Sequence, residues 1–433
     1  MAARPRKVTI RTYQVGFGDC FLLTFHYAKG EKHVLVDFGS TRLPPRPKAR
    51  GKKAESGDKY MARVADDIKQ RVGTDLVAVI ATHRHKDHIS GFATKNGTAS
   101  GDIIRSCKPK LVLMPWTEQP DLARNATAPG PTGAAKGFVQ GLLQMHDVAK
   151  NALQVLKVGR GRFGPSHFKE IEFIADDNLA NQSAVKNLTS MGKPLYLYYG
   201  KRPSALERLL PGVKIDVLGP PTLKQTESIK TQAARDPDEF WHLQSLASAR
   251  ASVSQKKLFG RHATYASIPP DSRWLCERID RLGANQLLSI VRALDKAMNN
   301  TSLILLFHVG KKRLLFPGDA QIETWRHALV EAKDAKANQK KLATTDFYKV
   351  GHHGSLNATP HTLWDLFEKR KSKKPSTKLK SVVSTLPGVH GNAARKTDVP
   401  RKTLLEALSH DSDLTNTHQF ARGTLSEDVE IPL

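Results

Sequence analysis

Apolar and polar residues alternate through "KVTIRTYQVGFGDCFLLTFHYAKGEKHVLVDFGS". That period of two predicts strands near 7–13, 20–27 and 33–38, with a turn at "AKGEK". "MARVADDIKQRV" changes to helical spacing, and "LVAVIATH" is a short apolar strand that runs into histidines. Strand, helix, strand is the unit of a layered α/β domain. "LVLMPW", "PLYLYYG" and "VKIDVLGPP" add strands, and "TSLILLFHVGKKRLLFPGDA" reads as a hairpin turning at Gly310. "FYKVGHHGS" and "KSVVST" complete the series.

The stretches between are of other kinds. "TRLPPRPKARGKKAESGDKY" is a basic Pro/Gly loop, "PDLARNATAPGPTGAAKG" an Ala/Pro/Gly-rich connection, and a helix is expected at about 136–155. Residues 222–298 turn polar and helical, with "EFWHLQSLASAR" and "NQLLSIVRALDKAM", before strand character returns abruptly. The division expected is one α/β domain from 1–221 and 299–400, a mainly helical insertion at 222–298, and a C-terminal tail at 401–433. The insertion is a candidate surface for a protein partner. No solenoid-type repeat occurs.

The 433 residues, 39% hydrophobic and 25% charged, suffice for a sizeable core. Charge changes the picture: 68 Lys and Arg against 41 Asp and Glu leave a formal +27. Such a surface attracts polyanions, because each neutralised phosphate releases condensed counterions, so nucleic acid is the expected partner. "RPKARGKK" and "EKRKSKKPSTKLK" would lie along its backbone as phosphate contacts, though each run alone also reads as a solvated loop. Cys20, Cys107 and Cys276 form no CxxC pair, which argues against a disulfide framework and thiolate zinc and suits a reducing cytoplasm. "MAARPRKVTI" has no apolar signal core, and no stretch approaches the roughly 20 apolar residues of a membrane span.

Four polar clusters each follow an apolar strand: Asp37 after "HVLV", "HRHKDH" after "LVAVIAT", Asp319 after "RLLFPG", and His352-His353 after "FYKVG". Strand ends at one edge of a sheet are where an α/β layer builds its site. Neutral imidazoles and carboxylates suit Zn²⁺, with Mn²⁺ or Fe as competitors. His83 and His85, two apart, can turn to one side of an extended loop. Asp87 and His88 lie beyond the bend and can face a second ion, and Asp319 can bridge. Two ions about 3.5–4 Å apart would clamp a hydroxide of pKa near 7 against a phosphoryl or carbonyl oxygen.

HxHxDH at His83, His85, Asp87 and His88, with a later GD and a terminal histidine, resembles the metallo-β-lactamase-fold hydrolases. More narrowly, "VGFGDCFLL", "VDFGS", "NNTSLILL", "LLFPGDA" and "KVGHHGS" resemble the metallo-hydrolase domain of bacterial competence (DNA-uptake) proteins of the ComEC type. The likeness covers 7–120 and 195–390. It implies a four-layer αββα sandwich with two zinc ions, Mn²⁺ being the alternative, at one edge. His83 and His85 would hold the first ion, and Asp87, His88 and His353 the second, with Asp319 between them. Asp87 and His352 are then the candidate catalytic residues, His352 touching substrate or supporting a ligand; the order within the His352-His353 pair stays open. Asp37 matches the family's first aspartate, which orients a loop or ligand. Many members carry a further first-site histidine where this chain has Asn299 and Asn300, so another residue would complete that site; His146 and His167 fit ordinary surface positions better.

Asp19, Asn300 and Ser355 are candidates for substrate or supporting contacts, each with a turn or capping role as the alternative. Lys349, in mid-strand, reads as solvated. Oxygen-reducing di-iron relatives carry glutamate where this chain has His85, which favours hydrolysis. The expected function is a two-metal phosphodiesterase or nuclease. The alternatives are hydrolysis of a small ester, lactone or phosphorylcholine-type diester, or a metal-binding module of a DNA-handling or defence complex.

Overall fold

The fold is seen in a computed structural model that describes residues 3–45, 55–119, 182–222, 224–226, 298–355, 359–390 and 398–433. The first sheet begins with three antiparallel strands, β1 (Lys7–Tyr13), β2 (Cys20–His26) and β3 (Glu31–Phe38). It continues in parallel through β4 (Leu76–Ile80), β5 (Leu111–Pro115) and β6 (Lys193–Leu197). The second sheet pairs β7 (Val213–Gly219), β8 (Ile304–Val309) and β9 (Lys312–Phe316) antiparallel, the latter two joined at Gly310. From β9 it runs parallel through β10 (Phe347–Lys349), β11 (Lys380–Val383) and β12 (Asp413–Asn416). Strand β13 (Ser426–Pro432) returns to pair antiparallel with β1. Both sheets are therefore mixed, seven-stranded and six-stranded, in an α/β chain.

Alternation sorts each strand's residues between two apolar environments. Ile10, Phe21, Leu23, Val36 and Ile80 of the first sheet pack in one cluster with Leu305, Phe307, Leu314, Phe316 and Phe347 of the second. The opposite faces are covered by helices. On the first sheet, Leu22, Leu35, Val79 and Val112 meet Tyr60, Met61, Val64, Ile68 and Val72 of the helix Gly57–Val72. Those helical positions recur every three or four residues, and Ser56 caps the start by accepting from the Lys59 N–H (3.3 Å). On the second, Leu306, Leu315 and Tyr348 meet Trp325, Leu342, Trp364 and Leu408.

Two expectations change. Residues 401–433, read as a tail, supply the helix Lys402–Asp411 and one strand to each sheet, because β1 and β11 would otherwise end as unpaired edges. The run "EKRKSKKPSTKLK" ends on Lys380, the first residue of β11, which pairs with Phe347 at the start of β10. It therefore lies at the strand edge opposite His352 and His353. Much of its charge is engaged internally: Lys369 with Asp346 (2.7 Å), Arg370 with Asp365 (2.8 Å), and Lys380 with Asp413 (3.0 Å). Lys371, Lys373 and Lys374 remain exposed. "RPKARGKK", the helix expected at 136–155, His146, His167 and nearly all of 222–298 lie outside the described residues. Among the described residues, no helix is long and apolar enough to cross a membrane.

Two predictions follow from this packing. Phe316 lies between Phe21, Phe307 and Phe347, with ring centroids 5.3–6.1 Å away. Phe316→Ala should cost about 3–5 kcal/mol in urea unfolding, through lost burial and the cavity left. Asp216 on β7 is half-buried; burial raises its pKa, but His308 (2.9 Å) and Lys341 (2.8 Å) outweigh that and hold it at about 2. Its folded pKa lies below the unfolded value near 4, so its solvent-screened stabilisation is present above about pH 4 and lost as pH falls toward 2. Asp216→Asn should flatten that part of the stability–pH curve.

Candidate metal centre

The C-terminal ends of the parallel strands converge on one edge, and the polar clusters stand there. Asp37 lies at the end of β3, Thr82 to His88 follow β4, Asp319 follows β9, and His352-His353 follow β10. Asp19 joins them because β2 runs antiparallel to β3, so its start meets the end of β3. The loops touch through backbone: the Asp19 N–H donates to the Asp87 carbonyl (2.9 Å) and the Gly39 N–H to the Asp19 carbonyl (3.0 Å). Glycine makes this approach feasible. A Cβ on Gly39 would stand 2.5 Å from the Asp87 and His88 backbone, and Gly318 has φ +55° with Thr82 close by. Asp37, His352 and His353 themselves have positive φ (54°, 43° and 52°), a strain tolerated where surrounding contacts fix the backbone.

Among the described residues, three sets of side chains bring one ligand atom each to within 4.8 Å of one another: Asp87, His88, Asp319 and His353; His83, His85 and Asp87; and Asp19, Asp37 and His88. All of these residues are buried. Asp37 Oδ1 accepts from the Thr82 N–H (2.7 Å), and Oδ2 accepts from the Thr82 hydroxyl (2.8 Å) and from His88 Nδ1 (2.8 Å). His353 Nδ1 donates to the Ser384 carbonyl (2.9 Å). In both rings Nδ1 carries the proton, and Nε2 faces the carboxylates: His353 lies 2.6 Å from Asp87 Oδ2 and His88 lies 3.1 Å from Asp319 Oδ2. His83 Nε2 and His85 Nδ1 approach to 2.9 Å.

Charge in this pocket is unbalanced. Among the described residues, four buried carboxyl groups, those of Asp19, Asp37, Asp87 and Asp319, face one buried ammonium, that of Lys349, whose Nζ contacts Asp19 and lies 3.3 Å from Asp319 Oδ1. The shifts follow. Burial would lower the pKa of His88, but Asp319, Asp87 and Asp37 raise it well above the usual range. Burial, with His88 and His85 alongside, keeps His83 well below its usual range and therefore neutral. Burial disfavours the anions of Asp87 and Asp319, yet His88 and the other cationic groups hold both carboxyls down.

Asp87 Oδ1, His88 Nε2 and Asp319 Oδ2 are buried without a hydrogen bond, although the last two are close neighbours. Orphaned buried acceptors beside excess negative charge fit a cation, and the imidazole–carboxylate donor set can hold a metal ion.

Each expected residue finds a definite place. Asp87 is common to the two main sets, whereas Asp319, expected as the bridge, falls only in the set with His88. His353 belongs to that set. His352 is half-buried beside it and donates its backbone N–H to Asp319 Oδ1 (3.0 Å). Asn300 turns from the cluster: its Oδ1 accepts from the Gln321 N–H (3.3 Å), its Nδ2 donates to Glu323 (3.1 Å), and it braces the start of Ile322–Arg326. The Ser355 N–H closes the turn on the His352 carbonyl (2.9 Å).

The residue missed is Lys349, expected in solvent but 2% exposed. Period-two alternation offered the signal, since it puts Lys349 on the same inward face as Phe347. Ser384 and Thr82 carried no comparable mark.

No family model matches the chain, and no curated protein matches it. If Asp37 orients His88, Asp37→Asn should weaken Zn²⁺ or Mn²⁺ binding about 10–100-fold in titration calorimetry. Unchanged affinity would remove that role.

Proposed function

We propose that the chain is a divalent-metal-dependent phosphodiester hydrolase, first of all a nuclease, on the αββα sandwich of the metallo-β-lactamase fold. One observation carries the reading: the buried convergence of Asp87, His88, Asp319 and His353, with His83 and His85 beside them, at one sheet edge. The helix-covered outer faces and the apolar cluster shared by the sheets support that fold. Two ions, zinc or else manganese, would be held by these residues and, when bound, supply a Lewis acid for a phosphoryl oxygen and an acidified water. Asp87, whose buried Oδ1 makes no hydrogen bond, would orient the attacking water. His352, at the margin of the cluster, meets the substrate. Asp37 and the Ser384 carbonyl keep His88 and His353 in the required tautomer.

The formal charge of +27 supports nucleic acid as substrate, and cysteines without a CxxC pair suit a cytoplasmic setting. A second reading, a small diester or ester, is favoured by the position of 368–380 at the opposite strand edge. Purified protein given single- and double-stranded DNA, RNA and a chromogenic phosphodiester with Zn²⁺ or Mn²⁺ separates the two. We expect polynucleotide cleavage that His85→Ala reduces by at least about 100-fold, in the range of removing a first-rank electrostatic group. Cleavage that persists in His85→Ala would sink the proposal, and turnover of the chromogenic ester alone would select the second reading.

A further inference from the structure

Lys349 is the cation that the proposed chemistry does not use. Its Nζ contacts the Asp19 carboxylate, lies 3.3 Å from Asp319 Oδ1 and donates to the Gly318 carbonyl (3.2 Å). A buried ammonium is costly unless carboxylates surround it, and here two do. Asp19 is itself fully buried, and its Oδ1 has no hydrogen bond. Asp19, Asp37 and His88 also form the third set with metal-ligand spacing. That set differs from the other two. Its histidine points Nδ1 toward the carboxylates with a proton already engaged by Asp37, leaving carboxylate oxygens as the main donors.

We propose that the Lys349 ammonium is a resident cation of the cluster, tethered on the Asp19 carboxylate where a third exchangeable ion would otherwise bind among Asp19, Asp37 and His88. It engages Asp319 Oδ1 together with the His352 N–H, so only Oδ2 faces the ligand group. Lys349 is thus a positioning residue that limits the exchangeable ions to the two sets carrying available imidazole nitrogens. This rests on the cation-binding reading above.

The test is equilibrium dialysis of metal-stripped full chain against Mn²⁺, with thermal melting in parallel. Lys349→Met should take up about one more Mn²⁺ than the wild type. Its metal-free melting temperature should fall by several degrees and recover with Mn²⁺, as ligand linkage requires. Lys349→Arg, which keeps the charge, should match the wild-type ion count. An equal count in K349M and wild type, with no extra recovery by Mn²⁺, overturns the assignment. Should K349M not fold, the double variant D19N/K349M, which removes both charges, should fold and bind the wild-type number; its failure to fold also overturns it. A wild type that takes up no ion sinks the hydrolase reading instead, and K349M still decides this one: an ion gained supports it, none refutes it.

Discussion

Like charges gathered in a dry pocket repel, and the rest of this architecture depends on how that repulsion is met. Two unit charges 4 Å apart interact by about 4 kcal/mol at an effective dielectric of about 20, several times the net worth of an ordinary hydrogen bond. Asp19, Asp37, Asp87 and Asp319 are each at most 3% exposed, so solvent screens them little. The Lys349 ammonium supplies the fixed compensation that the chain itself contains. The loops carrying these groups leave both sheets, and the charge pairing therefore ties the two sheets together at one edge, as the apolar cluster does at the centre.

The same edge shows why a cluster of this kind needs a rigid frame. Asp87 and His353 are 266 positions apart yet meet at 2.6 Å. Their approach is set by strand register, by backbone hydrogen bonds between loops, and by glycines at points where a side chain would clash. The ring of Phe17 lies 4.3 Å from that of His353 and closes the pocket on its apolar side. Three of the few non-glycine residues with positive φ sit here, held by contacts on every side.

Much of this was legible in the residues alone. Period-two alternation located β1 at Lys7–Tyr13, and polar residues after apolar runs marked the ends of β3, β4, β9 and β10. Strands β12 and β13 escaped because "DLTN" is short and polar and "SEDVEIP" carries only Val429 and Ile431 as buried apolar residues among charged ones. Lys349 reads as solvated by its charge, whereas its place two positions after the buried Phe347 is the feature that puts it inside. The basic run at 368–380 drew attention by its composition, but composition carries no address, and parallel register puts that run at the far edge. Asn300 looked like a ligand neighbour by its distance from the GD pair, whereas its carboxamide serves the turn that follows.

Strand β1 has a consequence for how the chain is made. Its outer partner is β13, with Lys7 opposite Pro432. During synthesis β1 emerges long before β13, and until β13 follows, one flank of β1 shows bare amides and carbonyls to any passing strand. Completing that sheet requires closing a loop of more than 400 residues, among the slowest kinds of contact to form. An adhesive margin thus stays open in the nascent chain until the distant strand that covers it has been made.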